Sequence, residues 1–272
     1  MSFFSTQATS EILSFGWGEG VAGLVRSRIS DTNGDSVMRY EIKMKVLSTD
    51  EYEIAFKNPA LETDDNIQQP VNLIKMLPSI VISKEGDFRR LKGISALNVE
   101  VLNKIPIKLN ERDRNNWERN LNKPNVLQSM HSRTERMWNT WVGAWNGLRI
   151  DNQTSLSPTL KFESPQGNTL VTYEYVGLVE NVCTQCVKLR CISTLDGDAA
   201  IKYVLKSLED RDDDSDGVLF EKAISQTVTE IITDSLSLIP YYATTLTTVN
   251  LKVAEEAEVS NQIRQEYWFD WR

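Results

Sequence analysis

Histidine is all but missing: His131 is the single one in 272 residues. A Ser-His-Asp or Cys-His site would have to be built on it, and it lies in an Arg- and Met-bearing segment where a surface or capped imidazole is the plainer reading. Cysteine is scarce too. Three of them are too few for a disulfide framework, and their odd number leaves at least one thiol free. No run of about 18 apolar residues occurs, so no transmembrane helix is expected. Basic charge is in deficit, with 30 Lys and Arg against 38 Asp and Glu, a net charge of -8 and a pI near 4.9. That balance argues against a nucleic-acid partner, because phosphate recognition needs a surplus of Lys and Arg on the surface. A phosphate-binding glycine loop is also absent: Gly16-Trp-Gly-Glu-Gly20 has neither the Lys-Ser/Thr pair nor a strand before it. With no motif of the required mechanics, the expectation is that the chain is not an enzyme and carries no cofactor. Residues Met1 to Ser10 have no basic region and no sustained apolar stretch. The expected location is therefore cytoplasmic as written, or periplasmic and cell-envelope if a signal has been trimmed.

What is present is alternation. At 40% hydrophobic residues the chain has enough apolar material for a substantial core. Residues 21–30 read as a first strand, Asp31-Thr-Asn-Gly34 supplies hairpin chemistry, and Met38, Tyr40, Ile42, Met44 and Val46 alternate with charged residues on the return. Tyr52, Ile54 and Phe56 continue the meander. At the other end, Thr245, Thr247, Val249, Leu251 and Val253 form a β-branched run, and Ile263, Tyr267, Phe269 and Trp271 alternate with charges. Shorter extended stretches fall at 80–82 and 88–91, and further strands at 170–179, 186–193 and 227–233. Both ends of the polypeptide are expected to share one bent sheet.

Helices are expected near 70–77, where Pro70 suits a first turn, and near 94–104, 124–147 and 198–209. The 124–147 segment opens on Pro124 and closes at Gly147, a residue suited to a helix C-terminus. Met130, Met137, Trp138, Trp141 and Trp145 share one broad face of it. Such a stripe is either a buried, sheet-covering surface or the aromatic wall of a cavity for an apolar ligand. Met137, Trp138, Trp141 and Trp145 are the candidate lining residues. The fold expected is α+β: one domain, 1–272, dominated by a large curved antiparallel sheet with helices on one face, an N-terminal arm at 1–18 and a helical insertion at 111–147.

Two further patterns suggest ligands. Cys183-Thr-Gln-Cys186, with Cys191 nearby, has thiol-redox or zinc spacing, but it sits at a hairpin instead of opening a helix and lacks a fourth ligand. Structural or incidental thiols are the first reading and a Cys183–Cys186 disulfide the second. The acidic loop from Asp212 places Asp212, Asp214 and Asp216 at alternate positions before Gly217, as in the first half of a calcium loop. Its twelfth position is Ala223 in place of a bidentate Glu, and the alternative is a solvated acidic loop.

The succession Val228-Thr-Glu-Ile-Ile-Thr-Asp-Ser-Leu-Ser-Leu-Ile-Pro-Tyr241, a long Thr-rich strand, and then Gln265-Glu-Tyr-Trp-Phe-Asp-Trp271 resembles the late strands of periplasmic lipoprotein-carrier (LolA/LolB-like) half-barrels. Gly18-Glu-Gly20 before alternating strands is compatible with it. The resemblance implies a strongly curved sheet whose concave face is covered by helices and holds an acyl chain or a partner segment. The functional expectation is a binding protein of the bacterial envelope for a lipid or other apolar small molecule. The alternative is a protein-interaction module, such as an immunity or inhibitor protein, whose charge steers a basic partner.

Overall fold

The computed structural model describes residues 10–32, 34–62, 77–94, 97, 111–151, 159–164, 167–198, 200–201, 220–253 and 258–272. The expected helices at 70–77, 94–104 and 198–209 lie wholly or mostly outside them, as do Asp212, Asp214 and Asp216 of the expected calcium loop.

The first strand, β1 (Ser10–Ile12), pairs with β7 (Arg149–Asp151) in a small ribbon of its own. The remaining eleven strands form one open, curved antiparallel sheet. A meander of β2 (Ala22–Asp31), β3 (Gly34–Val46), β4 (Glu51–Glu62), β5 (Ser79–Ser83) and β6 (Phe88–Lys92) makes one wing. A second meander of β8 (Thr159–Ser164), β9 (Gly167–Leu178), β10 (Cys186–Asp196), β11 (Phe220–Asp234), β12 (Pro240–Val253) and β13 (Val259–Trp271) makes the other. The wings meet at β2 and β13, so the strands from the two ends of the sequence share one sheet, with the alternating run of β3 one strand away from that of β13. Tyr267 faces Ser27, Phe269 faces Val25 and Trp271 faces Gly23 across that seam.

Local sequence explains the pairing. The Asn-Gly hairpin closes with Asp31 opposite Gly34, whose φ of 111° is open to glycine. Asn58, at φ 51°, marks the point where β4 slips register against β3, in the manner of a bulge. Between β11 and β12, Asp234 Oδ1 accepts hydrogen bonds from the backbone N–H of Leu236 and Ser237 at 3.0 and 2.9 Å, an Asx-type turn. The strand expected at 227–233 starts earlier, at Phe220.

The helical part departs from expectation. α1 (Glu111–Leu121) falls inside the helical insertion expected at 111–147, and the single helix expected from 124 to 147 is shorter, α2 (Pro124–Trp138). Pro124 does begin α2, but the α-helix ends at Trp138 and widens into a π-helical turn, Asn139–Gly143, where Ala144 N–H reaches back to the Asn139 carbonyl at 3.1 Å. Gly147 follows with φ 81° in the turn beyond. Widening the backbone there lets Trp138, Trp141, Val142 and Trp145 all point into the sheet.

The core lies between that segment and one face of the sheet. Trp138, Trp141, Val142 and Trp145 are fully buried, together with Val25, Ile42, Met44, Ile54, Ile80, Ile231 and Ala243. Each large apolar side chain so buried contributes about 1.5–3 kcal/mol before entropy is subtracted. The N-terminal arm contributes too: Leu13 and Trp17 are buried, and the Trp17 ring meets Trp138 and Trp271 edge-on at centroid distances of 5.5 and 5.1 Å.

Candidate functional site

The aromatic stripe is placed where the sheet is deepest. Trp141 meets Tyr267 and Phe269 edge-on at 5.2 and 5.1 Å, Trp145 meets Tyr173 at 6.0 Å, and Met137 Sδ lies 4.0 Å from the Tyr40 hydroxyl. Trp138 donates from Nε1 to the Gly86 carbonyl at 2.8 Å and Trp145 to the Thr140 carbonyl at 2.9 Å. Met137, Trp138, Trp141 and Trp145 are thus in contact with sheet and arm, which is the sheet-covering form of the stripe. Burial pushes the Tyr40 and Tyr267 hydroxyls well above the ordinary tyrosine pKa, as expected of phenols in an apolar core.

Other sequence-level candidates fall elsewhere. His131 is 45% exposed, 3.6 Å from Glu135 and against the Phe88 ring, a surface position. Cys183 and Cys186 are joined in a disulfide in the turn between β9 and β10, so the C-x-x-C is a closed staple there. Cys191 is the free thiol; burial pushes its pKa up to about 11, with a weaker opposing effect from Tyr173. No group of three or more metal-ligating side chains occurs among the described residues.

The opposite face of the sheet carries a feature that the sequence did not announce. Side chains alternate across a strand. Because Ala243, Ile231 and Tyr267 face the helix, Tyr242, Thr244 and Leu246 of β12, Val228 and Glu230 of β11, Arg190 and Ile192 of β10, and Arg264 of β13 face away. These eight residues line an open groove of about 460 Å³. Its floor is a row at right angles to the strands: Ile192 pairs with Val228, Val228 with Leu246, and Leu246 with Arg264. Ile192, Val228 and Leu246 are all half-buried.

Above that row runs a polar one whose members satisfy one another. Arg190 pairs with Glu230 at 2.7 Å and Glu174 at 3.2 Å, and Lys188 reaches Glu230 at 3.0 Å. Burial works to raise the Glu230 pKa, and the hydrogen bonds from Lys188 and Arg190 outweigh it, leaving it below the ordinary value. Further along, Glu266 is nearly buried and accepts from Arg28 through both Nε, at 2.9 Å, and Nη2, and from the Tyr242 hydroxyl at 2.9 Å. Burial again works to raise its pKa, and the Arg28 and Tyr242 hydrogen bonds oppose it strongly enough to leave a net depression. Trp268 lies beside Tyr242, with the Arg26 and Arg28 guanidinium groups 5.5 and 5.4 Å from its ring centre. Arg264, exposed at the groove's end, makes no ion pair among the described residues.

A sequence signal for these residues exists but is incomplete. Val228 and Leu246 sit on the opposite parity from the core residues of their strands, an apolar residue where a polar one is expected. Only the cross-strand register shows that three such residues line up.

No protein-family model matches the chain, and no curated protein matches it. Among solved structures, one titled "Lipid-protein interactions in lipovitellin" aligns with 94% of this chain and 25% of that one, at a TM-score of 0.47 and 10% sequence identity. This chain therefore spans about a quarter of that chain's length. What the fold defines is a large curved antiparallel sheet with a helical segment packed on one face. A likeness of this degree names no family for it, and no family match supports the pattern shared with lipoprotein-carrier half-barrels.

Proposed function

We propose that the chain is a non-enzymatic binding protein for an apolar or lipid-like small molecule, held on the sheet. The observation that carries the reading is the groove of about 460 Å³ floored by Ile192, Val228 and Leu246. Its size falls within the usual range for small-molecule sites, and an apolar floor beside a few polar groups is their usual chemistry. The site differs from the aromatic wall that is one of two sequence readings of Met137, Trp138, Trp141 and Trp145, whose segment covers the other face. An envelope location goes with this reading, supported by the Cys183–Cys186 disulfide, since such bonds persist in oxidising compartments. The half-barrel resemblance adds an acyl chain as the natural ligand class.

Calorimetric titration with medium-chain amphiphiles of different head groups tests this. Saturable binding that is lost in Leu246→Asp, with the variant's melting curve showing it folded, supports the proposal. Absence of saturable binding by every amphiphile in the panel would sink it.

A second reading, a protein-interaction module, draws on a different region. Leu178, Val182 and Leu236 are 75%, 41% and 59% exposed around two turns linked by the Ser235 N–H to Gln185 carbonyl bond of 3.1 Å. A partner encoded beside this chain, co-purifying with it and released when these three residues are changed to serine, is the result that would favour it.

A further inference from the structure

The groove is amphipathic along a single line, and that line has a charged end. Ile192, Val228, Leu246 and Arg264 are consecutive cross-strand partners on β10, β11, β12 and β13. Three strand spacings of about 4.8 Å make the row some 14 Å long, a suitable length for a medium acyl chain lying across the strands. Beyond Arg264 the row continues to Ser30 on β2, and beyond Ile192 to Thr172 on β9, so polar residues bound the apolar stretch at both ends.

We infer that the groove takes a monoanionic amphiphile, a linear medium-chain carboxylic acid in its ionised form, with its chain along Ile192, Val228 and Leu246 and its carboxylate on Arg264. The inference rests on the binding reading above and adds the head group and its direction. Charge assignment decides the head group. Arg190 is held by Glu230 and Glu174, and Arg28 by Glu266, which leaves Arg264 as the lining cation without an ion-pair partner among the described residues. A guanidinium matches a carboxylate in shape as well as charge, two N–H groups meeting two oxygens. A dianionic phosphate fits less well, because one arginine neutralises one charge and the remainder would face Glu230 and Glu266 on a protein of net charge -8. A neutral alcohol gains the same apolar contact and forgoes the ionic one.

The test titrates octanoate, octanol and octyl phosphate into the wild-type protein and into Arg264→Gln. Arg264 is exposed, so the variant's fold is not at stake. Octanoate should bind about fivefold more tightly than octanol to the wild type, the scale of an exposed ion pair, and the preference should vanish in Arg264→Gln while octanol affinity stays the same. Equal binding of octanoate and octanol, tighter binding of octyl phosphate, or an unchanged preference in Arg264→Gln would overturn the inference and leave the apolar-ligand reading standing. Failure of all three compounds to bind overturns both.

Discussion

The indole nitrogen of Trp138 donates a 2.8 Å hydrogen bond to the carbonyl of Gly86, tying the end of α2 to the turn between β5 and β6. Its neighbour one turn on behaves differently: Trp141, equally buried, has no partner for Nε1 among the described residues. Replacing Trp138 by Phe removes ring volume and also strands a buried carbonyl, whereas Trp141→Phe removes volume and relieves an unsatisfied donor. The two substitutions remove the same atoms. Trp138→Phe should therefore cost about 1 kcal/mol more than Trp141→Phe in urea unfolding at neutral pH. Equal losses would show that the Gly86 contact contributes nothing net.

Glu266 sits between Arg28 and Tyr242 on the open face, and its carboxyl titrates below the ordinary value. A folded pKa depressed below the unfolded one gives stability that is complete above the unfolded value of about 4.3 and is lost as pH falls through the folded value. Glu230 and Glu53, both depressed by hydrogen bonds from basic neighbours that outweigh burial, act in the same direction. The melting temperature should hold level from pH 7 toward 5 and then drop. Glu266→Gln should cost about 1–3 kcal/mol at pH 7, since Arg28 loses a charged acceptor, and should flatten part of the acid limb. A variant whose acid limb matches the wild type would place the depressed carboxyl elsewhere.

Much of this architecture is written in single strands. The alternation of Met38, Tyr40, Ile42 and Met44 against Arg39, Glu41 and Lys43 fixes which face of β3 is buried, and Tyr267, Phe269 and Trp271 do the same for β13. Both bury the same face of one sheet, with β2 between them, and their membership of a common sheet was legible because each has one apolar face to cover. Less legible were the limits of α1: the insertion at 111–147 reads as helical, but Glu111 to Leu121 carries few apolar residues among charges and asparagines, so no stripe sets its bounds. The π-helical turn was hidden as well, because the periodicity of Trp138, Trp141 and Trp145 suits an ordinary helix, and the extra residue per turn arises from packing. The groove was least visible. Ile192, Val228 and Leu246 lie in three separate strands, and adjacency across strands is a property of register.

The three cysteines should divide two to one. Cys183 and Cys186 are closed on each other, and Cys191 is a half-buried thiol whose pKa of about 11 keeps it protonated at pH 8. A thiol-alkylating reagent at pH 8 should leave the native, unreduced protein unlabelled by mass spectrometry. After mild reduction, two labels should appear before a third. Opening so short a loop should cost only about 2 kcal/mol by the chain-entropy relation, so the reduced protein should stay folded at room temperature. Rapid single labelling of the unreduced protein would contradict the raised pKa of Cys191.

The seam between β2 and β13 is where the fold should be most easily broken, because it is the one junction in the eleven-strand sheet that joins strands far apart in sequence. Gly23 lies there opposite Trp271, and a Cβ at that position would stand 2.8 Å from the Trp271 ring and 2.9 Å from the Asp270 carbonyl. The carbonyl belongs to the ladder and the ring is stacked on Phe269 while its Nε1 donates to Pro240 at 2.6 Å, so neither can retreat freely. Gly23→Ala should then destabilise by about 1–3 kcal/mol, the usual cost of overpacking. Gly18 provides the contrast: a Cβ there meets nothing within 4 Å, and Gly18→Ala should change stability by less than about 0.5 kcal/mol. Since the two substitutions alter the unfolded chain alike, the difference between them reports the close approach at the seam. Urea unfolding followed by far-ultraviolet circular dichroism measures both, and equal midpoints would mean that Trp271 moves aside at no cost and the seam is looser than its geometry indicates.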